Sequence, residues 1–259
     1  MRLKIDAALD YHFPRPAEVL LALEAAQMPD QVLIEDRLTV GTATALTPVA
    51  GQQGIGRRTW TKGEGRFTAR YEATVDVARR TPDLAAVAAA PLIGLSGRVI
   101  QYLWPSRYCD PEKVKSFAIE RFGALQGGAR VAAMAQWTRD NLSYVPGCSD
   151  ERTTAHDTFT QGKGICRDFA HVMISFARAL DVPARMVSAY AWGVKPPDFH
   201  AVVEVYLKGG WYLVDPTGLA PVDGLVRIGV GRDATDVSFM TIFGSAKLNS
   251  QSVRVERLD

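Results

Sequence analysis

The sequence predicts an α+β protein in which a central helix packs on an antiparallel sheet, with an antiparallel β region ahead of it. Three observations carry this. Phe67 to Val77 alternates strictly, with Phe67, Ala69, Tyr71, Ala73, Val75 and Val77 on one face and polar residues on the other, the period-two pattern of a half-buried strand. Ile165, Phe169, Val172, Met173, Phe176 and Leu180 recur at three- and four-residue steps, a wide apolar stripe that predicts a buried helix. Short strand patterns then follow at Arg185 to Tyr190, Phe199 to Leu207 and Trp211 to Asp215, and helices followed by antiparallel strands make an α+β domain.

Each element follows in chain order. Leu3 to Tyr11 and Val32 to Val40 are weaker strand patterns, and glycines from Gly51 to Gly65 punctuate the region as turns. Residues 1–80 are therefore expected to form a separate antiparallel β domain. Residues 81–110, rich in alanine and proline, read as a connector holding one short helix. Residues 111–259 form the second domain. Asp110-Pro111-Glu112 opens a helix with a capping side chain, a proline at the first position and an acid in the first turn. Gly123 and Gly127-Gly128 are expected to end that helix, and a second one fits Val131, Met134, Ala135, Thr138 and Leu142. Gly162-Lys163-Gly164 is a turn into the central helix.

Composition narrows the function classes. The 259 residues are 47% hydrophobic and 22% charged, as in ordinary globular domains. The net charge of +2 is mixed along the chain, with no basic stripe, so nucleic acid is not an expected partner. The longest apolar run, Leu84 to Leu95, is too short for a membrane span and is broken by Pro91 and Gly94. Met1 to Asp10 lacks the apolar segment of a secretory signal, and three cysteines do not make a disulfide framework. A cytoplasmic protein is expected. Nothing in the pattern sets an oligomeric state.

Cys166 falls in the first turn of the central helix, where free backbone N–H groups and the helix dipole favour the reactive thiolate. The glycines before it are expected to let a substrate approach the sulfur. His200 opens a strand on the side away from Ala201, Val203, Val205 and Leu207. Asp215 closes the next strand, ahead of Pro216-Thr217, where a carboxylate holds an imidazole in a useful tautomer. An odd pairing register between the two strands keeps His200 and Asp215 on one face. Asp168 suits the helix dipole, and His171 reads as a packing residue. His156 reads as a surface or loop residue. Cys148, Cys166, His156 and His171 lack the close ligand spacing of a zinc site, so no metal is expected. Gly229 to Ala234 lacks the strand–helix context of a dinucleotide loop.

Around these residues lie blocks that carry a resemblance. Gly162-Lys163-Gly164-Ile165-Cys166-Arg167-Asp168-Phe169-Ala170 resembles the G-x-C-R-D-x-A block of the bacterial transglutaminase-like superfamily. Val182 to Tyr190, Phe199 to Tyr206, Gly210 to Thr217 and Gly231 to Val237 resemble its following blocks in order. Ala189 stands where glycine is usual and Val202 where tryptophan is frequent. The resemblance implies a papain/transglutaminase-like core over about 105 to 240. It implies Cys166 as nucleophile, His200 as base and Asp215 as its partner, in a cofactor-free acyl transfer on a peptide or protein amide. Hydrolysis is the favoured outcome. The Cys166 N–H supplies one oxyanion donor, and Tyr144, Gln161 or Trp192 the second, which leaves these three as substrate-binding candidates. A catalytically idle binding module on the same fold is the rival reading.

Overall fold

In a computed structural model, which describes residues 1–41 and 45–259, the chain opens with β1 (Arg2–Leu21), β2 (Gln31–Val40), β3 (Thr47–Ala50) and β4 (Arg57–Val77). These strands are antiparallel, with β1 and β4 paired along nearly their whole length. The alternation from Phe67 to Val77 does what its period requires: the odd-numbered residues are buried and their neighbours face outward.

The connector carries a 3-10 turn (Leu84–Ala86) and one short α-helix, α1 (Gly97–Ile100). It is bound rather than loose, since its carbonyls at Val87, Ala88 and Tyr102 accept from Gly128, Lys208 and Ala184. Next come α2 (Lys115–Phe122), α3 (Gly127–Asn141), β5 (Ser143–Tyr144), α4 (Ala155–Gln161), β6 (Lys163–Gly164) and α5 (Cys166–Ala179). Asp110 caps the turn before α2 through the Glu112 N–H. Gly127-Gly128 open α3 instead of ending the preceding helix, because this end of α3 lies against the connector backbone.

A second sheet follows: β7 (Ala184–Ala191), β8 (His200–Leu207), β9 (Gly210–Val214) and β10 (Leu225–Gly231), in the order β10-β7-β8-β9. Helix α5 packs on this sheet through Phe169, Val172, Met173 and Phe176, which share a core with Met186, Val203 and Val205. The chain ends with α6 (Ala234–Val237), β11 (Met240–Phe243) and β12 (Lys247–Arg257).

The fold class is the one the pattern predicts, but the division at residue 80 does not follow the sheets. Strands β11 and β12 both return to pair with β1, so the first sheet draws strands from both ends of the chain. Its buried face shares one core with Tyr190, Val226 and Ile228 of the second sheet. Tyr71 and Tyr190 stack across that boundary at 6.0 Å, and the Tyr190 hydroxyl donates to the Leu23 carbonyl at 2.6 Å. The physical reason is area. A half-buried sheet must cover its apolar face, and here the second sheet supplies the cover. No helix among the described residues is long and apolar enough to cross a membrane.

Candidate active site

Cys166 is the first residue of α5, with Ile165 at the N-cap. Its backbone N–H therefore has no acceptor inside the helix. The segment leading to it is held tightly. Gly162 ends α4 in the left-handed conformation, β6 pairs in parallel with β5, and the Asp168 carboxylate accepts from the Ile165 N–H at 2.9 Å. A Cβ at Gly164 would lie 2.7 Å from Asp168 Cβ. Gly164 thus makes room for the buried Asp168 carboxylate, an internal reason in place of the expected substrate access. Asp168 does more than sit in the helix dipole. It also accepts from Arg167 Nε, while Arg167 Nη2 reaches the Asp150 carbonyl and pins the loop ahead of α4.

His200 is the first residue of β8, and its Nε2 lies 3.0 Å from Asp215 Oδ2. The Cys166 side chain lies close enough to the ring to help raise its pKa, and Nε2 is the ring nitrogen that Asp215 engages. Asp215 follows β9, and the pair Val203 opposite Val214 sets the odd register that puts Asp215 diagonal to His200. As its place in the strand implies, His200 shares a face of β8 with Val202 and Glu204, opposite that of Ala201 and Val203, and His200, Val202 and Glu204 are all buried. The apolar core beside Val202 and Leu213 covers this face too.

The carboxylate is held at every lone pair the geometry offers. Asp215 Oδ1 accepts from the Thr217 N–H and hydroxyl at 2.9 and 2.7 Å, and Oδ2 accepts from the Ala220 N–H at 3.0 Å beside His200. Arg139 reaches the Asp215 carbonyl at 3.4 Å and lies against Gly218 (φ 70°), where a Cβ would meet Arg139 Cδ at 2.8 Å. Burial raises the Asp215 carboxyl, but His200, Thr217 and Ala220 outweigh it and hold it below the usual range. Burial likewise opposes charge on His200. Hydrogen bonds and charge attraction from Asp215 and Cys166 overcome it, and the ring is raised to about 10.

Among the three substrate-side candidates, the structure brings Tyr144 near Cys166, because β5 pairs with β6 two residues ahead of the helix, with Tyr144 opposite Gly164, and the two side chains influence each other electrostatically. Gln161 is exposed at the end of α4. Trp192 is half-buried and packs against the core between the two sheets, with the Arg257 guanidinium 5.8 Å from its ring.

His171 is a packing residue, as its position five steps past Cys166 implies. Its ring stacks on Tyr108 at 5.0 Å and its Nε2 accepts from the Ala234 N–H at 3.2 Å. Asp233 accepts from the Tyr108 and Thr235 N–H groups. Residues 231–237 are thereby fastened to α5, which gives that block a structural reason. His156 lies in α4, half buried, rather than in a loop. Thr217, Ala220 and Arg139 were not found from sequence. The Asp-Pro-Thr tripeptide was a usable signal for Thr217, whereas Arg139 comes from a distant helix. Among the described residues, no three His, Cys, Asp or Glu side chains converge as metal ligands do.

Comparison with known proteins follows this geometry. Residues 118–216 match the model of the transglutaminase-like superfamily. A candidate cysteine protease from Cytophaga hutchinsonii superposes with a TM-score of 0.93 at 33% identity, covering 100% of this chain and 91% of that one. The uncharacterized protein ML0607 of Mycobacterium leprae is 33% identical over 117 residues, which is 42% of this chain and 42% of the length of that relative. The chain belongs to the transglutaminase-like superfamily.

Proposed function

We propose that this protein is a cysteine-dependent amide hydrolase acting on a peptide or protein substrate. The observation that carries the proposal is His200, buried between the Asp215 carboxylate at 3.0 Å and the Cys166 side chain. A base oriented on one side and a nucleophile on the other is the arrangement that thiol acyl transfer needs. The superfamily and the cysteine-protease description of the Cytophaga neighbour support the same chemistry at a coarser level.

The Cys166 thiolate attacks the carbonyl carbon, forming an S–C bond. The tetrahedral oxyanion takes hydrogen bonds from the Cys166 N–H and the Tyr144 hydroxyl. The His200 imidazolium passes its proton to the amine nitrogen as the C–N bond breaks, leaving a thioester. Water then attacks, gives its proton to His200, and releases the acid and the thiolate. Asp215 keeps the Nε2–H oriented throughout. Three free cysteines without a disulfide support a reducing, cytoplasmic setting.

The test is mass spectrometry after incubation with a peptide library, with and without an added primary amine. Cleavage or a carboxamide-to-acid change in wild type, absent in Cys166→Ala, is the expected result. Amine incorporation in place of hydrolysis overturns the hydrolytic assignment, and no turnover in any arm favours the idle module. Tyr144→Phe is expected to lower turnover by about 10²–10³-fold, the range for loss of one oxyanion donor.

A further inference from the structure

A cavity of about 590 Å³ is lined in part by Asp215 and not by Cys166. That volume is in the range of small-molecule sites. It opens between β9, the edge strand of the second sheet, and the segment that leaves β4. Trp211, Leu213 and Val222 give it an apolar part, while Arg79 and Arg80 of the segment after β4, Arg139 of α3 and Arg227 of β10 also line it. Two carboxylates also line it, Asp30 and Asp215. Both are committed, Asp215 to His200 and its turn, and Asp30 to Arg79 and Arg227 at 2.7 and 2.8 Å.

The cationic excess is specific. Arg80 is exposed and has no hydrogen-bond or ion-pair partner among the described residues. Among the described residues, Arg139 reaches only the Gln136 side chain and the Asp215 carbonyl. The Arg79 side chain is 7% exposed, and its Nη2 is buried without a partner. An unpaired donor on a buried guanidinium is costly. Burial and the like charge of Arg227 both press the Arg79 guanidinium below its ordinary value, and a bound anion offsets the repulsion between the two arginines. The guanidinium fork suits planar oxyanions held by two hydrogen bonds.

We infer that this arginine-lined cavity is a binding site for a small polyanion, a ligand with two or more phosphate or carboxylate groups. Neither Cys166 nor His200 lines it, although Asp215 borders both the cavity and His200, and binding there does not depend on the proposed hydrolase activity.

The test is isothermal titration calorimetry of the full chain with inorganic pyrophosphate and, separately, citrate, at constant ionic strength against sodium chloride. Saturable 1:1 binding of at least one is expected, and the better arm identifies phosphate or carboxylate as the source. Arg80→Glu and Arg139→Gln are each expected to weaken it tenfold or more, while Arg15→Glu, on the exposed rim of the first sheet, leaves it unchanged. Circular dichroism spectra matching wild type are required of each variant. Arg80 is exposed and unpaired, so its replacement does not threaten the fold. Absence of saturable binding into the millimolar range overturns the proposal. So does binding that Arg80→Glu and Arg139→Gln leave intact, or that Arg15→Glu reduces equally.

Discussion

At the scale of single residues, the three cysteines differ in environment, and that difference is measurable. Cys109 is completely buried, and burial pushes its thiol up to about 12. Cys166 is 9% exposed and touches an imidazole held protonated through neutral pH. Iodoacetamide at pH 7, followed by peptide mapping, is expected to label Cys166 well ahead of Cys109. His200→Ala is expected to slow labelling at Cys166 several-fold and leave Cys109 unchanged. His171 makes a second residue-scale prediction. Burial lowers its ring to about 4, from about 6.5 in an unfolded chain. Below pH 6.5 the unfolded chain takes up a proton that the folded protein refuses, so the contribution of His171 to stability is full above that pH. It falls as pH drops toward 4, by up to about 1.4 kcal/mol per pH unit. His171→Gln removes this dependence. Denaturant unfolding at pH 7 and pH 5 is expected to show a smaller loss for the variant than for wild type.

Elements carry the next level of constraint. Helix α5 is buried from Asp168 to Ala179, so its stability comes from packing more than from helix propensity. Phe176 shows this most directly. It is fully buried, and its ring meets Trp137 at 5.2 Å, Phe122 at 5.4 Å, Phe117 at 5.5 Å and Phe159 at 5.8 Å. These aromatics come from α2, α3 and α4, so one side chain ties three helices to the element that carries Cys166. Phe176→Ala is expected to cost about 3–5 kcal/mol, read from the denaturation midpoint. In β8 and β9 the register matters as much as the packing. A one-residue slip turns every side chain to the other face, and it would carry Asp215 away from His200. The observed pairing, with Val203 opposite Val214, is the one the strand patterns required.

For the whole molecule the decisive fact is that the chain closes on itself. β12 pairs with β1 from Leu3 opposite Arg257 to His12 opposite Lys247. Cutting away residues 1–80 therefore strips β11 and β12 of their partner and uncovers Tyr190, Val226 and Ile228. The truncated protein is expected to be insoluble, or to bind a hydrophobic dye strongly with broadened unfolding, whereas a separate β unit would leave it soluble and cooperative. Expression of 81–259, followed by dye binding and urea unfolding, distinguishes the two.

The sequence by itself determined the elements whose signal is local. The alternation of β4, the apolar stripe of α5 and the turn glycines each depend on residues within about ten positions, and local periodicity reads them directly. It also pointed to Cys166, His200 and Asp215, because their positions at the starts and ends of elements are properties of nearby chain. The Thr154–Asp157 capping box of α4 was equally local and was passed over. What only the tertiary structure decided is everything that joins distant segments: β11 and β12 returning to β1, β5 bringing Tyr144 beside the start of α5, and Arg139 arriving from another helix at Asp215. The arginines that line a cavity with that carboxylate belong to the same class. Such contacts are selected by which surfaces must be covered and which charges must be answered in three dimensions, and no spacing along the chain records that choice.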